Sequence, residues 1–358
     1  MSRALPFLKR ALVAIVVLIV GSVVVGVITI QITQARQRSA TRIETENGIE
    51  SLEFVQIGGV AQSIYLRGHD RDSPVLLFVH GGPGGPSMPM ARDFGFLLEE
   101  HFVVVHWDQR GAGNSCSDEI PDDSLNLEQY LADTRELIDL LRNRFEQDKI
   151  FLVGHSWGSV LGLITAQRHP ERLHAYVGMG QVVDMLRNEE ISYRFVVDRA
   201  TADKNEQALE ELASIKPPYA SREALMLQRN WLGYYRGDFL EGGGFAKFVR
   251  GVVLSPEYDV DKKLSFYSCA MNSLDQAWGD LEDINFIETV RRVEVPVFVF
   301  AGRHDYNTPF ELVEILYEGL SAPHKELVWF ENSAHSPNLE EPGRYQEVLI
   351  ERLLPISN

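Results

Sequence analysis

Hydrophobic and polar positions divide the chain into stretches of different texture. From Ile49 onward the pattern first alternates, as in Glu53–Ile57 and Ala61–Leu66, which predicts half-buried strands. Three short and nearly continuous apolar runs follow: Val75–Val79, Phe102–Val105 and Ile150–Val153. Continuous runs suit strands covered on both faces, as in a parallel sheet. Between them lies a helical pattern from Leu127 to Phe145, with apolar positions at Tyr130, Leu131, Leu137, Ile138 and Leu141. Strands alternating with helices predict a doubly wound, mostly parallel α/β sheet. The alternation stops near Gly180. Val182 to Phe286 is helix-rich, charged and aromatic, and strand texture resumes at Val295–Phe300 and Glu326–Phe330. The expected organisation is one α/β domain built from residues 49–180 and 289–358, with residues 181–288 inserted as a helical cap over the strand ends. Two separate domains are the alternative, but no Pro/Ser/Gly-rich linker favours them.

The first residues have another texture. Ala11–Ile30 carries no charge and is almost wholly Val, Ile, Leu, Ala and Gly. As a helix it spans roughly 30 Å, the thickness of a bilayer's hydrocarbon core. Arg3, Lys9 and Arg10 precede it, and Arg36, Arg38 and Arg42 follow. A cleaved signal peptide competes with this reading, but its apolar region is ordinarily shorter and the only small-residue exit is Thr33-Gln34-Ala35. The expectation is one uncleaved transmembrane signal anchor within residues 1–33, with a cytoplasmic tip, and a polar linker over 34–48. Lys9 and Arg10 abut the span, which places the N-terminus inside and the remainder of the chain on the extracytoplasmic side.

The net charge of −17 disfavours nucleic acid as a partner, because phosphate neutralisation needs clustered Lys and Arg. Cys116 and Cys269 lie far apart in sequence and suggest neither a metal site nor a disulfide framework. No His/Asp/Glu group has metal-ligand spacing, so neither a catalytic metal nor a cofactor is expected.

The candidate chemistry centres on Gly154-His155-Ser156-Trp157-Gly158. This G-x-S-x-G string follows the Ile150–Val153 run and leads into a helix-compatible segment, Ser159–Ala166. That strand–turn–helix context makes Ser156 a candidate nucleophile on a sharp turn. An ordinary helix N-cap is the alternative. A serine hydroxyl needs a base, and the base needs an orienting acid. Asp305 falls just past the Val297–Phe300 strand and His335 just past Leu327–Phe330, at carboxyl ends of strands where α/β sheets place their ligands. Asp305 alone also reads as a turn residue before Thr308-Pro309. An oxyanion hole fits His80-Gly81-Gly82-Pro83-Gly84, with backbone N–H groups of Gly82 and Trp157 as donors. A phosphate loop is disfavoured, since no Lys-Ser/Thr follows the glycines. His155 reads as a packing residue, and His304 points away from its neighbour Asp305.

Four motifs together resemble the prolyl iminopeptidase family of α/β-hydrolases: His80-Gly81-Gly82-Pro83-Gly84, Asp108-Gln109-Arg110-Gly111-Ala112-Gly113-Asn114-Ser115, Gly154–Ser159, and Gly302–Asp305 with the downstream His335. The resemblance covers about 75–180 and 295–341. It implies an α/β-hydrolase fold, Ser156 as nucleophile, Asp305 and His335 completing a triad, and Gly82 with Trp157 as oxyanion donors. It also implies a helical cap whose carboxylates hold a substrate's free α-amino group. The chain departs from the family pattern at His155, where a glycine is usual. No cap carboxylate matches the family's amine-holding glutamates. Ser268–Ser273 contains none, and Glu189, Glu190 and Asp275 read as solvated helix faces. The expected function is a membrane-anchored serine hydrolase removing N-terminal residues, such as proline, from short peptides. The alternative is an esterase or lipase-like hydrolase, with cap aromatics Trp231, Tyr234, Tyr235, Phe239, Phe245 and Phe248 lining its pocket. Oligomeric state is left open.

Overall fold

The computed structural model describes residues 4–357. Met1–Arg3, including the basic Arg3 expected before the membrane span, lie outside the described residues. The strands are β1 (Ile49–Ile57), β2 (Val60–Gly68), β3 (Val75–Val79), β4 (Val103–Asp108), β5 (Ile150–His155), β6 (Leu173–Met179), β7 (Val297–Gly302) and β8 (Lys325–Phe330). The helices are α1 (Ala4–Ala40), α2 (Ala91–Phe94), α3 (Leu127–Arg144), α4 (Trp157–Arg168), α5 (Met185–Ala202), α6 (Glu206–Ala213), α7 (Arg222–Tyr234), α8 (Gly244–Leu254), α9 (Val260–Glu282), α10 (Phe286–Thr289), α11 (Phe310–Gly319), α12 (Pro337–Glu340) and α13 (Pro342–Leu353).

One sheet runs in the order β1-β2-β4-β3-β5-β6-β7-β8. β1 and β2 pair antiparallel, β2 joins β4 antiparallel, and every later pairing is parallel. The texture of each strand follows from its place. β1 is an edge strand whose residues alternate between burial and exposure. β3 is buried at every position: Val75, Leu77 and Val79 face one apolar cluster, while Leu76 and Phe78 face the other. Helices cover both faces of the central strands, which favours apolar residues there; the exception is His106 of β4, buried without a hydrogen-bond partner among the described residues and held neutral by that burial. β6 is a strand that the sequence pattern passes over. Its run ends in Gly178-Met179-Gly180 beside the helix-rich segment and shows no turn signal of its own.

All of α5 to α10 lies between β6 and β7. α1 continues through Ala40, into the polar residues that read as a linker. Gln, Ala and Arg are good helix formers, and tertiary contacts hold this last part. Gln34 Nε2 donates to the Ser255 carbonyl at 2.8 Å, and Arg38 donates to the Pro256 carbonyl.

Cys116 and Cys269 form a disulfide, against the sequence expectation of no disulfide framework. The partners are 153 residues apart, so spacing carries no trace of their contact. The bond ties α9 to the loop after β4.

Candidate active site

The loop between β5 and α4 carries Ser156 at φ 55°, ψ −120°. A non-glycine residue in that region is strained and persists only where the surroundings fix it. The flanking glycines explain the fixation. A Cβ on Gly154 would sit against the Gly158 carbonyl, and one on Gly158 against the carbonyl of Val79 in β3. Ser156 occupies the N-cap position of α4, but its side chain makes no capping bond to the helix. It is left to face the cleft.

Asp305 and His335 sit on the loops after β7 and β8, and the structure brings them together. His335 Nδ1 lies 3.0 Å from Asp305 Oδ2. Thr308 Oγ1 donates to the same carboxylate oxygen at 2.8 Å and lies 3.1 Å from Nδ1. Asp305 Oδ1 accepts from the backbone N–H groups of Asn307 and Thr308. One oxygen of Asp305 thus builds the turn and the other faces the imidazole. His304 is exposed while Asp305 is buried, so the two neighbours point apart. Burial opposes a charged His335, but the adjacent Asp305 carboxylate, with Asp238 and Glu340, outweighs it and raises the pKa above the ordinary histidine value. No hydrogen bond joins Ser156 Oγ to His335 among the described residues. Such bonds often tighten only with substrate in place.

Gly82, Ser156 and Trp157 line one cleft of about 130 Å³, together with Asn307 and Thr308. The His80–Gly84 loop comes close enough to Ser156 that a Cβ on Gly81 would meet Ser156 Cβ at 2.9 Å. The Asp108–Ser115 motif is what holds this loop. Gln109 Nε2 donates to the His80 carbonyl at 2.8 Å, Gln109 Oε1 accepts from Trp157 Nε1 at 3.1 Å, and the Gln109 N–H donates to His80 Nε2. Arg110 pairs with Asp133 of α3 at 2.8 Å. Burial holds His80 near pKa 4, so it stays neutral and accepts.

His155 is a packing residue of a particular kind. Its ring lies 4.9 Å from that of His335, and its Nε2 is 2.9 Å from the His335 carbonyl. Burial, with His335 next to it, pushes its pKa down to about 3, so the ring is neutral and Nε2–H donates. Glu340 completes the support: its carboxylate accepts from the backbone N–H groups of Leu240, Ala334 and Ser336.

Two expectations about the helical segment need correction. Glu189 is not on a solvated face. It is buried in α5, lines the Ser156 cleft, and accepts two hydrogen bonds from Arg229 of α7, at 2.5 and 2.9 Å. Glu190 is exposed, and Asp275 pairs with Arg222 near the surface, as expected of solvated faces. The aromatics offered as a pocket lining pack elsewhere. Trp231, Tyr234 and Tyr235 stack on one another, Phe248 lies against Phe266, and Phe245 is exposed. The apolar part of the cleft comes instead from Met185, Leu225, Met226, Leu274, Trp278 and Leu281. Sequence spacing alone does not reveal which aromatic faces inward. No group of three or more His, Cys, Asp or Glu able to hold a metal occurs among the described residues.

Comparison with known proteins agrees with this fold. The chain is 32% identical over 310 residues to the probable aminopeptidase YbaC of Bacillus subtilis, covering 86% of this chain and 97% of that protein. It is 26% identical over 304 residues to the proline iminopeptidase of Saccharolobus solfataricus, covering 80% and 86%. Among solved structures, the proline iminopeptidase of Mycobacterium smegmatis superposes with a TM-score of 0.62 at 20% identity, covering 86% of this chain and 99% of that one. Residues 74–342 match the alpha/beta hydrolase fold family. With that match spanning most of the chain, and with YbaC alike along nearly its whole length, the protein belongs to the α/β-hydrolases and is a hydrolase that resembles aminopeptidases and proline iminopeptidases.

Proposed function

We propose that Ser156, His335 and Asp305 form the catalytic triad of a membrane-anchored aminopeptidase that releases an N-terminal residue, such as proline, from short peptides. The observation that carries this reading is the buried Glu189 carboxylate in the same cleft as Ser156, Gly82 and Trp157. An exopeptidase must neutralise its substrate's ammonium out of water, and an unpaired charge there costs several kcal/mol. Glu189 has about four acceptor sites, of which Arg229 takes two and the Asn188 side-chain amide a third. Arg229 holds the carboxylate in place and leaves acceptor capacity for an α-amino group. The helices between β6 and β7, residues 181–288, act as the cap that supplies this pair.

The chemistry follows from the triad geometry. Ser156 Oγ attacks the scissile carbonyl, and His335 takes its proton through Nε2. Asp305 stabilises the resulting imidazolium through Nδ1–H. The N–H groups of Gly82 and Trp157 receive the developing oxyanion. His335 returns the proton to the leaving amine, and water, activated by the same histidine, releases the aminoacyl group from Ser156. The cleft of about 130 Å³ is well below the size of pockets that enclose drug-sized ligands, which favours a single small aminoacyl residue.

α1 is the anchor. Its Ala14–Ala40 part has a mean hydropathy of 2.8 in its most apolar window, and none of that window is buried against the protein. The Cys116–Cys269 disulfide suits an oxidising compartment, which supports an extracytoplasmic catalytic domain.

An esterase reading has one observation in its favour: Arg229 neutralises Glu189, and the remainder of the lining is largely apolar. Parallel assays of the full-length protein on proline naphthylamide, its N-acetylated form and short-chain nitrophenyl esters separate the two. Loss of turnover on blocking the amine is expected of the aminopeptidase. Equal turnover of blocked substrate, or of esters alone, would establish the esterase.

A further inference from the structure

The outer surface of the cap carries apolar side chains that nothing in the chain covers. On α8, Phe245, Val249 and Val253 recur at the helical repeat and are exposed, Phe245 by 70%. On α9, Val260, Leu264 and Tyr267 do the same, and Leu264 is 80% exposed. Single exposed apolar residues are ordinary, but two neighbouring helices each with such a stripe mark an interaction surface.

The position of this surface relative to α1 names its partner. The uncharged run ends at Ile30. Gln34, which bonds Ser255 between α8 and α9, lies four residues further along the same helix, or about 6 Å at the helical rise. Arg38, bonded to Pro256, lies about 12 Å past Ile30. The headgroup layer on each side of a bilayer is roughly 5–8 Å thick. With α1 across a membrane, Ser255 therefore sits at headgroup depth and Pro256 at the outer margin of that layer, and Val253 and Val260 flank the pair in sequence. Charge agrees. A cleft of about 660 Å³ between α1 and α8 is lined by Arg36, Lys247 and Arg250, with Asp93 as the acidic member. This basic patch belongs to a protein of net charge −17. Apolar side chains beside basic ones are what an interfacial helix presents to anionic lipid.

We infer that α8 and the first turns of α9 form a second membrane contact, dipping their apolar stripes into the bilayer surface while Arg36, Lys247 and Arg250 take anionic lipid headgroups. This inference rests on α1 spanning the membrane. It fixes the cap against the bilayer rather than leaving the hydrolase domain free on a tether.

The test uses full-length protein in phosphatidylcholine vesicles, with and without phosphatidylglycerol, whose acyl chains carry bromine near the headgroup. Leu264→Trp and Val260→Trp should each lose the added tryptophan emission to the bromine. Ile315→Trp, on α11 at the far edge of the sheet from α1, should keep it. Arg36→Gln combined with Arg250→Gln should weaken the quenching in phosphatidylglycerol vesicles and leave it unchanged in phosphatidylcholine. Protein that resists a carbonate wash but shows no more quenching at 264 and 260 than at 315 would overturn the contact while leaving the anchor intact. Release by the wash would overturn the anchor and this inference together. Emission at 264 that responds to protein concentration and not to brominated lipid would assign the surface to a second copy of the chain instead.

Discussion

The loops at the carboxyl ends of the strands and the helical cap above them are built on different principles. Each loop residue around Ser156 is held by partners that short motifs supply. Gln109 ties the oxyanion loop to Trp157, Thr308 sits three residues from Asp305, and Glu340 braces the His335 loop five residues downstream. The cap is held by pairs that belong to no sequence motif: Glu189 with Arg229, 40 residues apart, and Cys116 with Cys269, 153 apart. The difference teaches where chemistry and where specificity reside. Under the proposed mechanism, bond-making geometry comes from the strand ends and substrate choice from the cap helices.

The largest expected effect probes the loops. Ser156→Ala should lower kcat by roughly 10⁴-fold or more and abolish fluorophosphonate labelling, and adding His335→Ala should make it little worse, because triad members act as a unit. Labelling of Ser156→Ala would place the nucleophile elsewhere. Asp305→Asn should cost a similar factor, measured as kcat at the pH optimum. Its pH profile carries a sign. The Asp305 carboxylate raises the His335 pKa, and the base must be neutral, so the wild-type acidic limb of kcat/KM lies above the ordinary histidine value. In Asp305→Asn that limb should move to lower pH. By linkage, a raised histidine pKa contributes stability that is complete below the unfolded value and is lost as pH rises through the folded one.

The cap should respond selectively. Glu189→Gln should reduce kcat/KM for free-amine substrates by roughly 10–100-fold, the effect of losing a buried ion pair of 1.4–3 kcal/mol, and leave nitrophenyl ester turnover nearly unchanged. Equal losses on both would make Glu189 a structural residue. Replacing both Cys116 and Cys269 with Ala should cost about 2–5 kcal/mol of stability, since the bond closes a long loop. Denaturant unfolding measures it, and an unchanged midpoint would remove the disulfide from any role in holding the cap. The smallest effect sharpens the boundary between the regions. His155→Gly restores the residue usual in the resembled family and removes the hydrogen bond to the His335 carbonyl. It should cost about 1 kcal/mol and a several-fold drop in kcat, without changing the ratio of peptide to ester turnover.

Local pattern determined a good deal of this protein. Continuous apolar runs mark the central strands because both faces of such a strand are buried. G-x-S-x-G after a strand marks the strained turn because only glycine leaves room for it. Asp305 and His335 stand out in the sequence because strand ends are where a doubly wound sheet exposes loops, and the fold brings the two side chains together. The long uncharged run over Ala11–Ile30 is legible as part of a helix long and apolar enough to cross a membrane. The tertiary structure alone decided which cap side chains face inward. Glu189 and Glu190 are neighbours on one amphipathic helix, yet one is buried beside Ser156 and the other is exposed. The aromatic cluster of Trp231, Tyr234 and Tyr235 packs on itself while Trp278 reaches the cleft. The pairing of Cys116 with Cys269, and the length of α1 held against the Ser255–Pro256 turn, belong to the same class. Strand and turn signals arise from interactions within a few residues, which a sequence displays directly. The choice of partner across 40 or 153 residues depends on how helices dock, and the sequence carries that only through the folded chain.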